Sequence, residues 1–402
     1  MQKKLIALAV AGLASTAAFA QTNVQIYGNL DYGYSYRFDD RATGTPAQAA
    51  AVTSAGKVAG SASQLNGGQS AGNRIGFKGT EDLGNGLKAV FLIEQGFGLD
   101  ISSGSADAQP TALSAGTASG NNNSISFTRQ AYVGLTGNFG TAIGGRLYTP
   151  HYTFMASLDP FSGGTVGQYR NVFGTYDVNS LIDPSRVDNA IAYVSPSFGG
   201  FTVTGAFSNN AGGTDSLANN ARNSTVYAVL GQYNAGPIAA GLGYHYIAPS
   251  SAPATPSIND IQNIVLGGSY DFKVVKLSLA GDWNQINRVN TGGLYPNVRL
   301  SNYMIGATAP IGKFDIQGSY IFSDGNSAAG GDAQQLALGA KYNLSKRTNF
   351  YTAYSWIDNS NNRNAGTSDA GNTGYAVGGA GNVSNMGVAW QQGFQVGVRH
   401  QF

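Results

Sequence analysis

The chain has 402 residues, 42% of them hydrophobic and only 11% charged, with 23 basic and 21 acidic side chains. Charge this sparse and this balanced excludes the basic field that nucleic-acid binding requires, and the absence of cysteine excludes disulfides, zinc–thiolate centres and thiol nucleophiles. No run of ~18 apolar residues occurs after the first stretch, which excludes a helical membrane protein.

The N-terminus reads as a secretory signal peptide over residues 1–20. Lys3 and Lys4 supply its positive start, residues 5–13 its apolar centre, and Ala18-Phe19-Ala20 a small-x-small cleavage site. The mature chain then begins at Gln21, as a single unit over 21–402, and without Lys3 and Lys4 it carries 21 basic and 21 acidic residues. Glycine, at 57 residues, is about twice its ordinary share.

From there the dominant signal is period two. Val24, Ile26, Leu30, Tyr32 and Tyr34 share one parity, and Gln25, Tyr27, Asn29, Asp31 and Arg37 share the other. The same alternation returns at Phe201–Phe207, Leu242–Tyr246, Leu277–Trp283, Phe314–Phe322, Phe350–Trp356 and Phe394–Phe402. Pleated strands with one apolar and one polar face produce this pattern. The connections alternate between short turns and long loops; seven short and eight long connectors give sixteen strands. Short turns at one end and long loops at the other are the mark of an up-and-down transmembrane barrel, whose closure leaves no edge unpaired in lipid. Parity places Asp31, Lys78, Lys88 and Glu94 inside and puts Tyr244, Tyr246, Trp283, Tyr320 and Trp356 outside, where interfacial aromatic girdles belong. A soluble β-sandwich with this outward apolar parity would expose far too much hydrophobic surface to water.

Residues 150–185 break the rule. They lie between two alternating runs, show no alternation themselves, and carry Tyr152, Phe154, Phe161, Tyr169, Phe173 and Tyr176, with acids at Asp159, Asp177 and Asp183. Five of the other long connections, such as 39–72 and 100–124, contain no aromatic residue at all. A long irregular segment rich in large rings points to a functional loop packed against something, not a solvated one.

Four motifs then carry a family resemblance. Residues 129–141 (RQAYVGLTGNFGT) followed by Gly145-Arg146, residues 73–86 (NRIGFKGTEDLGNG), residues 189–200 (NAIAYVSPSFGG) and the C-terminal GVRHQF resemble the Gram-negative general porins, in particular the neisserial and β-proteobacterial branch. The resemblance spans the whole mature chain. It implies an all-β fold, a 16-stranded antiparallel transmembrane β-barrel with an inward-folded third loop, here 150–185. It also implies a homotrimer in the outer membrane of a Gram-negative bacterium, in contact with outer-membrane lipid and lipopolysaccharide, passing small hydrophilic solutes and ions, and using no cofactor. By position Arg37, Arg74 and Arg129 are similar to the family's basic constriction cluster, with Arg146 nearby in sequence; Asp159 and Asp177 are the loop acids expected to oppose them. A modest anion preference follows from four arginines against two or three acids.

Other readings stay open at this level. One is a substrate-selective channel for a sugar or organic anion. Another is a non-conducting barrel serving as adhesin or anchor, with 39–72 and 358–385 as surface loops. Catalysis has little support: His151, His245 and His400 have no nucleophile motif beside them, and no Gly-x-Ser-x-Gly occurs.

Overall fold

The computed structural model describes residues 23–39, 61–99, 127–173, 175–177, 180–181, 185–211, 224–248, 258–288, 297–326, 332–358 and 390–402. The signal segment 1–20 lies outside them. The first strands are β1 (Asn23–Asp39), β2 (Ser61–Gly67), β3 (Arg74–Gly84), β4 (Leu87–Gly96), β5 (Gln130–Gly137) and β6 (Gly140–Tyr148). Helix α1 (Pro150–Leu158), a 3-10 turn (Tyr169–Asn171) and the small hairpin β7 (Thr175–Asp177) and β8 (Ser180–Leu181) follow. The wall continues as β9 (Arg186–Val194), β10 (Phe201–Ser208), β11 (Thr225–Ala235), β12 (Ile238–Ala248), β13 (Ile258–Asp271) and β14 (Lys276–Arg288). It ends with β15 (Val298–Ile311), β16 (Phe314–Gly325), β17 (Ala333–Asn343), β18 (Thr348–Asp358) and β19 (Trp390–Gln401).

Every wall strand pairs antiparallel with its neighbours, and β1 pairs with β19 along Asn29↔Gln401 to Asp39↔Gln391, which closes the sheet. Strands β2 and β3 both pair with β1, at successive heights, so they are two halves of one stave. The seventeen strand segments of the sheet therefore make a closed barrel of sixteen staves. Expected as loop, 39–72 instead contains β2. The sequence SASQLNG hid it, because one leucine among small and polar residues gives no readable alternation.

Burial is inverted relative to a water-soluble protein. On β15, Tyr303 and Ile305 are 43% and 54% exposed, while Asn302 and Met304 are 0% and 3%. The same exposed apolar row recurs at Leu242 and Tyr244, Leu277 and Leu279, Phe314 and Ile316, and Phe394 and Val396. The opposite parity buries Asn263, Asp282, Gln317, Ser319, Gln335 and Gln395. An apolar exterior around a polar interior is stable only where the outside solvent is hydrocarbon. No helix among the described residues is long and apolar enough to cross a membrane, so the crossing is made by strands.

Two local features hold the wall. The β3–β4 turn needs positive φ at Asn85 (53°) and Gly86 (79°), the Asn-Gly pair that two-residue hairpins favour. At the closing seam Gly28 N–H donates to the Phe402 carbonyl at 3.0 Å and Phe402 N–H to the Gly28 carbonyl at 3.2 Å. The Phe402 ring fills the space where a side chain at residue 28 would stand.

Candidate pore constriction

The segment 150–185 begins as a helix, not as irregular chain. Thr149 caps α1 by accepting the Tyr152 N–H at 3.2 Å, and Pro150 occupies the first turn, where its missing N–H costs nothing. The apolar side of the segment is buried. Phe154, Met155, Leu158, Phe161, Val166, Tyr169, Val172 and Phe173 form one cluster with inward wall residues Leu230, Val265, Met304, Ile321, Ala337 and Ile357. The wall makes room with glycine. A Cβ at Gly241 would stand 2.7 Å from Phe154, at Gly267 2.5 Å from Leu158, at Gly306 2.7 Å from Pro160 and at Gly339 2.7 Å from Phe161.

Polar ties complete the attachment. Gln335 Nε2 donates to the Gly167 and Gln168 carbonyls at 3.1 and 3.3 Å, Asn171 Nδ2 to Gln335 Oε1 at 2.9 Å, and Val166 N–H to Gln395 Oε1 at 2.8 Å. Gln317 also reaches the Pro160 carbonyl. Near the helix start His151 Nε2 lies 3.6 Å from Asp282 Oδ2, and the His151 and His245 rings are 6.2 Å apart. Two of the three histidines thus meet at the loop–wall contact, a juxtaposition that spacing along the chain could not show.

Between this loop and the wall formed by β19, β1–β6 and β9 lies a cavity of about 690 Å³. Arg37, Arg74, Lys78, Arg129, Arg186 and Arg399 line it, and Glu94 is the one carboxylate among the described residues that do. Glu94 organises the cluster. Its Oε1 accepts Arg129 Nε at 2.7 Å, and its Oε2 accepts the Tyr27 hydroxyl at 2.9 Å and stands 3.5 Å from Arg74 Nε. Arg129 Nη2 and Arg186 Nη2 both donate to the Tyr148 hydroxyl, at 2.8 and 3.1 Å. The Arg186 guanidinium also lies 4.8 Å from the Tyr148 ring centre, Tyr148 stacks on Tyr152 at 5.1 Å, and Arg170 lies 5.4 Å from the Tyr152 ring. These rings take up the faces of the guanidinium groups and let several cations sit close together. Arg399 Nε donates to Asn29 Oδ1 at 2.7 Å, and Arg37 Nε is buried without an acceptor among the described residues.

The expected residues divide accordingly. Arg37, Arg74 and Arg129 come together around the cavity, as their parity requires. Arg146 does not line it: its Nη1 pairs with Asp188 Oδ1 at 2.5 Å and its Nε donates to the Thr128 carbonyl at 2.6 Å. Asp159 does not face the arginines either. It turns into the loop, where its carboxylate accepts the N–H groups of Phe161, Gly163 and Tyr169 at 3.0, 2.8 and 3.1 Å. Burial pushes its carboxyl up to about 6, against the pull of those three donors. Asp177 lies on β7, and its side chain is outside the described residues. Arg186 and Arg399 are additions. Arg399 was readable as the polar parity of the last strand, and Arg186 as the first residue of the alternating run that became β9, but neither stood out as a site residue.

A family model described as Gram-negative porin matches residues 7–362. The chain belongs to the Gram-negative porin family. This porin is 32% identical to outer membrane porin protein 32 of Delftia acidovorans over the full length of both chains. It is also 32% identical to an outer membrane porin protein of Bordetella pertussis, over 89% of this chain and 95% of that one. Major outer membrane protein P.IB of Neisseria lactamica is 28% identical, over 89% of this chain and 94% of that one. Among solved structures, the anion-selective porin from Comamonas acidovorans superposes with a TM-score of 0.68 at 27% identity, covering 95% of this porin and all of the other chain. Outer-membrane location and a diffusion channel follow from the family and the closed barrel together.

Proposed function

We propose that the cationic cavity is the constriction of a general diffusion pore with a modest preference for anions, and that the porin works as a homotrimer. A hydrated ion or sugar would have to shed its water to cross hydrocarbon; a wide lumen lets it stay solvated. The third loop narrows that lumen from one side, and the arginine-bearing wall faces it. At the narrowest point the charge balance of the lining decides which ions enter, because a low-dielectric wall screens less than water does. The observation that carries the preference is the lining itself, six cations against one carboxylate among the described residues. A structural relative of this porin is described as anion-selective, in agreement. In this reading Glu94, on the same wall as the arginines, is the opposing acid among the described residues, and the described part of the loop lines the cavity with Tyr152, Thr165 and Gln168.

Recording from purified, assembled protein in a planar bilayer tests the pore and the trimer together. Open current that closes in three equal steps is expected. An assembled barrel that carries no current would remove the pore and leave the anchor or adhesin reading, and single-step closure would remove the trimer.

A further inference from the structure

The second stave is interrupted in a way that an ordinary bulge does not explain. On β1, Asn29 faces Arg74 and Tyr32 faces Gly67, so two residues, Leu30 and Asp31, stand opposite the six residues 68–73, a surplus of four. A bulge adds one residue. The extra chain turns inward, and residues 68–72 line the cationic cavity.

Asp31 holds this inward segment. Its carboxylate accepts the Ser70 and Ala71 N–H groups at 2.7 Å each and the Tyr351 hydroxyl at 2.6 Å. Its own N–H donates to Asn73 Oδ1 at 2.6 Å, and its carbonyl accepts the Gly68 N–H at 2.9 Å. All of this happens at 0% exposure. The inward segment in turn touches the tip of the third loop. The Gln69 carbonyl accepts the Thr165 N–H at 2.7 Å, and Gly164 lies so close to the Ser70 carbonyl that no Cβ would fit. The loop tip is therefore held between this segment and the Gln395 side chain, which takes the next N–H, that of Val166.

We propose that residues 68–73 are a second constriction element, a strut that fixes the tip of the third loop, and that Asp31 is the positioning residue that sets the width of the cationic passage. The proposal rests on that passage being the constriction, but its test reads change relative to wild type and not the sign of the wild-type selectivity. The strut fills the side of the cavity between Arg37 and Arg74. If it retreats, the opening widens and the arginines stand farther from a passing ion.

Asp31→Asn separates this role from a simple charge effect. Asparagine presents one acceptor oxygen where the carboxylate presents two, and its amide N–H groups meet donors. As a strut anchor, the loss of Asp31 raises single-channel conductance by roughly 1.5-fold and lowers anion preference, because ion-lined passages select most strongly when narrow. As a charge alone, removing an acid leaves conductance unchanged and raises anion preference, which would overturn the proposal. Deleting residues 69–72 removes the surplus without changing charge and provides the second test. Heat-dependent mobility on gels identifies the assembled protein, and its conductance is expected to rise in the same way. Wild-type conductance in an assembled deletion variant also overturns the proposal. Tyr351→Phe removes one of the three donors to the carboxylate at constant charge and gives a smaller shift in the same direction; no shift in conductance counts against Asp31 as the anchor.

Discussion

With Arg37, Arg74 and Lys78 all replaced by glutamate, the channel reverses from anion to cation preference. Among the described residues the wild-type cavity carries six cations and one carboxylate, a balance of five positive charges; three reversals take that balance to one negative. These three positions leave the buried Arg129–Glu94 pair in place, which matters because stripping one partner from a buried pair is strongly destabilising. The readout is the sign of the reversal potential in a salt gradient. Arg146→Ser is the control: its guanidinium is tied to Asp188 away from the cavity, so selectivity stays at the wild-type value. Retained anion preference in the triple variant, or lost preference in the Arg146 variant, would locate the selecting charges elsewhere.

Gly306→Val dislodges the third loop and leaves the wall standing. A Cβ at that position meets the Pro160 ring and the Ser278 hydroxyl, each at 2.7 Å, and no backbone atom of the neighbouring strands comes as near. Proline cannot rotate away, so the loop moves. Overpacking of this kind costs about 1–3 kcal/mol, which falls on the loop's seat because the strand ladders are independent of it. Assembly is retained, conductance rises, and the open current becomes noisier as the loop samples several positions. A quiet channel of wild-type conductance would show that the loop is not seated where Pro160 meets β15.

Much of this was legible in the residues. Alternation such as Leu242 and Tyr244 against His245 announced strands, and the count of connectors gave sixteen staves because a barrel wall has one regular period throughout. The aromatic content of 150–185 singled out the inserted loop, since rings like Phe161 and Tyr169 need a buried place. Arg37, Arg74 and Glu94, read as inward from their parity, line one cavity. What stayed hidden depended on contacts between distant parts of the chain. Asp159 looked like a pore acid because composition does not reveal that three nearby N–H groups would claim its oxygens. Arg146 looked like a member of the cluster because sequence proximity to Arg129 stood in for position, and its partner Asp188 lies on β9. The strand at Ser61–Gly67 was missed because small polar residues carry no hydrophobic period, and the strut after it was missed with it. Helix α1 was missed for a related reason: its nine residues make about two and a half turns, too short for a helical period to stand out.

The central claim is that the cationic lining, six cations and one carboxylate among the described residues, sets the ion preference of an open, water-filled pore. Its most direct test is the reversal potential of the wild-type channel in a potassium chloride gradient at neutral pH. A potential of the sign set by chloride, and abolished when Arg37, Arg74 and Lys78 are reversed, is the result expected here. A potential of the sign set by potassium in the wild-type protein would contradict it.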